Sequence, residues 1–312
     1  MRCGVWFLVS LAAAQPAAAY DLPALNLGNT SFYDGALPPD RPTLMIVEYL
    51  AAYGARHFKD DSGRDLSLPT QKISTFAPVT QVVYTSPNSI LDGASWGFTA
   101  LLPILASASV QDGLGNTVLA SRTGVGDAVI GPFFSPKPVT GPNGPVFAQF
   151  VELDFIVPTG RYDRNAAINP GSNFWSFNPF YAATLWVSPQ WSFSGRFHYL
   201  WNAPNDEPNV AFGPGAMSTQ AGQAFHMNLT TQYQINPMWA IGINGYLLEQ
   251  FTDTKVNGIP VPGRRERVSA IGPGLILELS KSFSVFVNGY KEFDARNRSQ
   301  GEKLMVRFNA KL

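Results

Sequence analysis

The 312-residue chain carries 22 basic and 22 acidic side chains, so it has no net charge at neutral pH and offers no basic surface for nucleic acid. Charged residues make up only 14% and aromatic residues 13%, whereas ordinary globular proteins are about 25% charged. A surface this poor in charge and rich in aromatic rings suits contact with lipid better than contact with water.

The first residues, MRCGVWFLVSLAAAQPAAAYDLP, place Arg2 before an apolar run over 4–14 and put Ala17-Ala18-Ala19 before Tyr20. This predicts a secretory signal peptide over 1–19, because the apolar run is too short to cross a bilayer as a helix. Cys3, the one cysteine, would leave with it, so the mature chain is expected to have no disulfide, thiol nucleophile or cysteine metal site. Residues 20–41 show no periodic pattern and run into Pro38, Pro39 and Pro42. They read as a leader to the first strand, of a length suited to plugging an interior. No later stretch reaches the roughly 18 apolar residues of a spanning helix; the nearest, 94–110, contains Pro103 and several serines.

From residue 42 to 312 the pattern is β throughout. In 43–53 the apolar set Met45, Val47, Tyr49, Ala51 and Tyr53 alternates with a set holding Glu48. A polar loop over 54–68 leads to a Val- and Thr-rich strand over 73–85, and 94–108 and 124–135 flank a loop with Asp112, Gly113, Gly115 and Asn116. In 147–157 the residues Val151, Leu153, Phe155 and Val157 oppose Glu152 and Asp154. Residues 174–187 alternate similarly before a turn at Ser188-Pro189, and 222–234 sets Phe225, Met227, Leu229 and Tyr233 against His226, Asn228, Gln232 and Gln234. Asn236-Pro237 and Ser280-Lys281-Ser282 mark two more tight turns, and a last loop over 294–301 leads to the final strand LMVRFNAKL.

The clearest unit is QWSFSGRFHYLWN at 190–202. Trp191, Phe193, Gly195, Phe197, Tyr199 and Trp201 share one parity, and Ser192, Ser194, Arg196 and His198 the other, with Leu200 the exception. A soluble sheet would hide the aromatic face in a core, whereas a barrel in lipid shows it to the bilayer and turns the polar face to its lumen. About twelve such strands follow one another, with short turns after even-numbered strands and long loops after odd-numbered ones, which is the asymmetry of periplasmic turns and extracellular loops. The loop over 135–146 departs from this rhythm. The fold expected is therefore an all-β transmembrane antiparallel β-barrel in the bacterial outer membrane. The chain ends at Leu312, where such proteins often carry an aromatic residue, which weakens the signal for the barrel assembly machinery.

Parity assigns ten residues to the lumen: Glu48, Glu152, Asp154, Arg196, His198, His226, Asn228, Asn244, Arg307 and Lys311. Their mixed signs speak against a strongly ion-selective pore. No catalytic, metal or cofactor constellation emerges. Gly124-Val125-Gly126-Asp127 lacks the third glycine of a dinucleotide fingerprint, and His57, His198 and His226 lack ligand spacing. A barrel-embedded hydrolase would pair Ser194 with His198, yet four residues of strand separate them by about 13 Å.

The stretches GVGDAVIGPFF (124–134), VPTGRYDRNAAINPGSNFWSFNP (157–179), GYLLEQFTDT (245–254), RVSAIGPGLIL (267–277) and FDARNRSQGEKLMVRF (293–308) resemble the outer-membrane barrel family named for the MetA (meta-cleavage) pathway of phenol degradation. The resemblance implies a channel that passively admits small hydrophobic compounds, aromatic ones among them, with outer-membrane lipid and the solute as partners. A ligand-sensing or structural barrel without uptake stays open as the alternative. Gly160, Arg161, Asn169, Gly171 and Asn173 match the family pattern in an external loop, where loop structure is their expected role.

Overall fold

A computed structural model of the chain describes residues 21–36, 43–91, 93–115 and 121–312. The signal-peptide stretch 1–19, the proline-rich end of the leader over 37–42 and Asn116 lie outside them. Twelve antiparallel strands form the wall: β1 (Thr43–Phe58), β2 (Lys72–Thr85), β3 (Ser95–Leu105, continuing as Ser107–Gln111), β4 (Gly124–Val125, then Ala128–Ser135), β5 (Gly144–Glu152, then Phe155–Val157), β6 (Ser176–Phe177, then Phe180–Trp186), β7 (Trp191–Asn202), β8 (Ala224–Gln234), β9 (Trp239–Gln250), β10 (Arg267–Ser280), β11 (Phe283–Arg296) and β12 (Ser299–Lys311). Each pairs with the next, and β12 returns to β1 from Lys311 opposite Met45 to Ser299 opposite Phe58. Closure leaves no unpaired edge, which hydrocarbon would not tolerate because it offers no alternative hydrogen-bond partner.

The two faces of each strand have opposite environments. On β7, Trp191, Phe193, Phe197, Tyr199 and Trp201 are exposed on the outer surface, while Ser192, Ser194, His198, Leu200 and Asn202 are buried inside. The same outward apolar parity recurs in Val151 and Phe155 of β5, Tyr181 and Leu185 of β6, and Ile241 and Ile243 of β9. An exposed apolar belt of this extent marks the surface that meets lipid, and the barrel is an outer-membrane one.

Three local expectations are corrected. On β1 the faces are reversed: Val47 and Tyr49 are buried inside, Leu44 and Ile46 are exposed, and Glu48 sits on the outer parity, where its Oε2 accepts the Thr80 hydroxyl at 2.7 Å. The cause is that the inward residues of β1 pack against leucines of the leader, so here the lumen side is the apolar one. The last external connection is not a loop over 294–301, because β11 and β12 extend to a tight turn at Asn297 and Arg298, with Asn297 in the left-handed region at φ 50°. The long 135–146 connection is a hairpin in which Val139–Gly141 folds back on the start of β5.

Face assignment predicts an unequal response to charge. Phe197→Lys should lower the unfolding free energy of the bilayer-inserted barrel by about 2–4 kcal/mol. Thr75→Lys, facing the interior cavity, should cost far less. Denaturant unfolding from liposomes measures both.

Candidate functional site: the lumen

Residues 21–36 run inside the barrel from the external rim to the periplasmic end, and inward polar side chains satisfy their backbone. At the rim, Arg264 donates to both carboxylate oxygens of Asp21, at 2.6 and 3.0 Å, and the backbone N–H groups of Asp21 and Leu22 donate to Glu266 Oε1 at 2.8 and 3.1 Å. Glu266 also receives Arg298 Nη1 on its other oxygen at 3.0 Å. Midway, Asn228 Oδ1 accepts the Gly28 N–H at 2.8 Å, Tyr290 donates to the Gly28 carbonyl at 2.9 Å, and Lys303 Nζ donates to Leu27 O and Asn29 Oδ1 at 2.6 Å each. Gly28 has φ 73°, and a Cβ there would lie 2.7 Å from the Tyr290 ring, so both the conformation and the close passage require glycine. Lower down, Phe32 packs among Ala240, Ile276 and Phe286, Asp34 pairs with Arg196 at 2.8 Å, and the Gly35 N–H donates to Thr184 Oγ1 at 2.9 Å.

These contacts fall on β6 to β12. Opposite them, against β1 to β5, remains a cavity of about 450 Å³. Tyr49, Ala51, Ile73, Val79, Leu101 and Val129 give it an apolar wall, and Glu152, Asp154, Asn178 and Arg196 line one end. Beneath that end Phe133, Phe150 and Phe180 stack edge to face, with the Arg196 guanidinium 4.2 Å from the Phe180 ring centre.

Of the ten sequence-derived lumen candidates, Glu152, Asp154 and Arg196 line the cavity. Asn228 instead holds the leader, donating from Nδ2 to Asn26 Oδ1 and Thr30 Oγ1. His198 and His226 are buried on neighbouring strands and stack at 4.1 Å, with His226 Nε2 3.0 Å from Asn178 Oδ1. The Ser194 hydroxyl lies 2.9 Å from Thr184 Oγ1. Asn244 donates to the Gly272 carbonyl at 3.0 Å, Arg307 lies 3.8 Å from the Phe286 ring centre, and Lys311 faces inward opposite Met45 at the periplasmic end. Glu48 is the one placed on the outer face. Sequence reasoning missed Glu292 and Lys303, although both share the inward parity of their strands. Glu292 is buried and accepts from Tyr53, Tyr246 and the Gly301 N–H, each at 2.8 Å.

The residues matching the family pattern knit the external loop between β5 and β6. Asp127 Oδ1 accepts the Gly160 N–H at 2.9 Å and its Oδ2 accepts the Ser172 N–H at 2.7 Å. Gly160 and Gly171 cross so closely that a Cβ on either would meet the other's backbone at about 2.7–2.8 Å. Asn169 closes the turn through the Asp163 N–H and carbonyl, Asn173 donates to Asn205, and the Arg161 N–H donates to Val125 O. The cavity wall continues into this loop at Asn169, Pro170 and Ser172.

The family model described as "Putative MetA-pathway of phenol degradation" matches residues 55–308. Among solved structures, the COG4313 outer membrane channel from Pseudomonas putida F1 superposes with a TM-score of 0.76 at 16% identity, covering 93% of this chain and all (100%) of that one. The NanC porin (TM-score 0.43, 10% identity, 84% of this chain, 97% of that one) and a TodX monoaromatic hydrocarbon channel mutant (TM-score 0.45, 8% identity, 87% and 89%) overlap more loosely. We found no match among curated protein sequences.

The rim anchor should respond to pH. Burial pushes the Glu266 carboxyl up from 4.5 to about 7, against the opposing pull of Arg298. An acid raised in this way keeps its proton in the folded chain where the unfolded chain has lost it, so its contribution is full below about pH 4.5 and is lost as pH rises through about 7. The denaturant midpoint should fall over that window, and Glu266→Gln, which keeps an oxygen for the Asp21 and Leu22 N–H groups, should flatten the fall.

Proposed function

The chain belongs to the MetA-pathway family of phenol degradation, and from that membership and the form of its lumen we propose that it is an outer-membrane channel passively admitting small hydrophobic compounds, aromatic ones among them. The observation that carries this reading is the cavity of about 450 Å³ beneath the external loops, with its apolar wall on β1 to β4. Its size suits a small or elongated solute, and its walls offer burial to an apolar surface. Movement would be down a concentration gradient, through the narrow lumen or a lateral opening. The COG4313 protein, which this chain resembles in fold, is an outer membrane channel.

The leader is the natural obstruction on this route. Its described residues occupy the β6 to β12 side, and the Asp34–Arg196 pair stands where the cavity meets Phe150 and Phe180. We assign residues 20–41 the role of a plug that narrows the lumen, following a signal peptide over 1–19, with the remainder as the barrel and its insertion left to the barrel assembly machinery. A lumen narrowed in this way also suits a ligand-sensing barrel without uptake, and one experiment separates the two. A strain lacking the protein should grow and take up solute more slowly at low concentrations of an aromatic carbon source, whereas unchanged uptake would leave only the sensing reading.

Removing residues 21–36 should raise single-channel conductance in a planar bilayer. An unaltered conductance would show that the obstruction lies elsewhere.

A further inference from the structure

The cavity has two walls of different origin. Ala51, Val79 and Val129 stand on the inward parity of β1, β2 and β4, and each is only partly buried although it packs against the large apolar cluster of the barrel. An inward side chain of a closed barrel keeps exposure only toward the lumen, so their free surface belongs to the cavity. The facing wall is no strand. Leader residues 21–27 line the same space, and Leu25 among them packs against the same cluster while staying half-buried. Leu22 and Leu27 are enclosed within that cluster, at 7% and 8% exposure. Leu25 is thus the leucine of the leader with surface left for a solute.

Its position is fixed from both sides. Above it, the N–H groups of Asp21 and Leu22 donate to Glu266 Oε1 at 2.8 and 3.1 Å. Below it, Asn26 Oδ1 accepts the Thr30 N–H at 3.2 Å and Asn228 Nδ2 at 3.1 Å, and the Leu25 carbonyl accepts the Leu27 N–H at 2.9 Å. A side chain bracketed this closely keeps one place relative to the barrel wall, which is what discrimination by size requires. The leader's part in the lining ends at Thr30, and Phe32 below it is buried among Ala240, Ile276 and Phe286. The lower leader therefore obstructs, whereas the upper leader shapes the space above the obstruction.

We propose that the leader supplies one wall of the solute site, and that Leu25 sets the width of apolar solute the site accepts. The proposal rests on the channel reading above and adds the residue that sizes the cavity. Shortening Leu25 enlarges the cavity on the leader's side, and lengthening it fills that space. In an apolar pocket one methylene of misfit changes recognition about 10–200-fold, so the three carbons lost in Leu25→Ala are well within reach of measurement.

Fluorine NMR titration of the full mature chain in nanodiscs, with empty nanodiscs subtracted, tests this with fluorobenzene and 1-fluoronaphthalene as probes. The readout is the ratio of their two dissociation constants. Leu25→Ala should shift that ratio about tenfold or more in favour of the naphthalene, and Leu25→Trp about as far in favour of the benzene. Leu25→Val should move it in the same sense as alanine by less, and covers failure of either larger change to fold. Heat-modifiable migration on gels identifies the folded variants. A leader that only obstructs, or a Leu25 that only holds the fold together, would leave the ratio at its native value while the two affinities hold or fall together. That result in the folded variants overturns the role of Leu25 and leaves the channel reading standing. Failure of both probes to bind the native protein removes both.

Discussion

A polypeptide in hydrocarbon must pair every backbone N–H and C=O with itself, and the rest of this structure depends on that constraint. It makes β12 return to β1, and closure then gives every strand one face toward lipid and one toward an interior. The interior holds more polar side chains than water-filled space needs, because a second segment of backbone lies there. Residues 21–36 form no strand with the wall, so their N–H and C=O groups find side-chain partners instead: Glu266, Asn228, Tyr290, Lys303 and Thr184. Several inward polar residues are thus best understood as the leader's hydrogen-bond partners.

This division of labour makes the lumen asymmetric. The polar partners sit mainly on β6 to β12, and the leader is drawn to that side. The opposite wall, β1 to β5, keeps its apolar inward residues, and the solute-sized space remains there. The reversal on β1 follows from the same arrangement. Val47 and Tyr49 pack in one cluster with Leu22 and Leu27, so the strand's hydrophobic set faces the leader and its Glu48 is left on the outside, held by Thr80.

The wall around the cavity is also where the strands are interrupted. β3 breaks at Ala106, β4 around Asp127, β5 around Asp154 and β6 around Pro179. Two of these breaks carry inward carboxylates with different fates. Asp127 is saturated by the Gly160 and Ser172 N–H groups and fixes the external loop. Asp154 Oδ1 instead lies enclosed in the space left by the missing side chain of Gly131, 2.7 Å from where a Cβ would stand.

The sequence by itself determined the class of fold, because period-two alternation over about twelve segments is a local property that each strand carries independently. It placed the lipid-facing aromatic side of β7 and the inward parity of Glu152, Asp154, Arg196, Arg307 and Lys311. It could not assign β1, since alternation gives two faces without saying which is inside, and there the apolar face answers to a segment distant in sequence. Nor could it foresee that Asn228 holds the leader or that His198 lies against His226, because cross-strand register is set only when the whole barrel closes. The cavity, its polar floor and the commitment of Arg196 to Asp34 were decided by tertiary structure, for each depends on where the leader lies among side chains brought together from many strands.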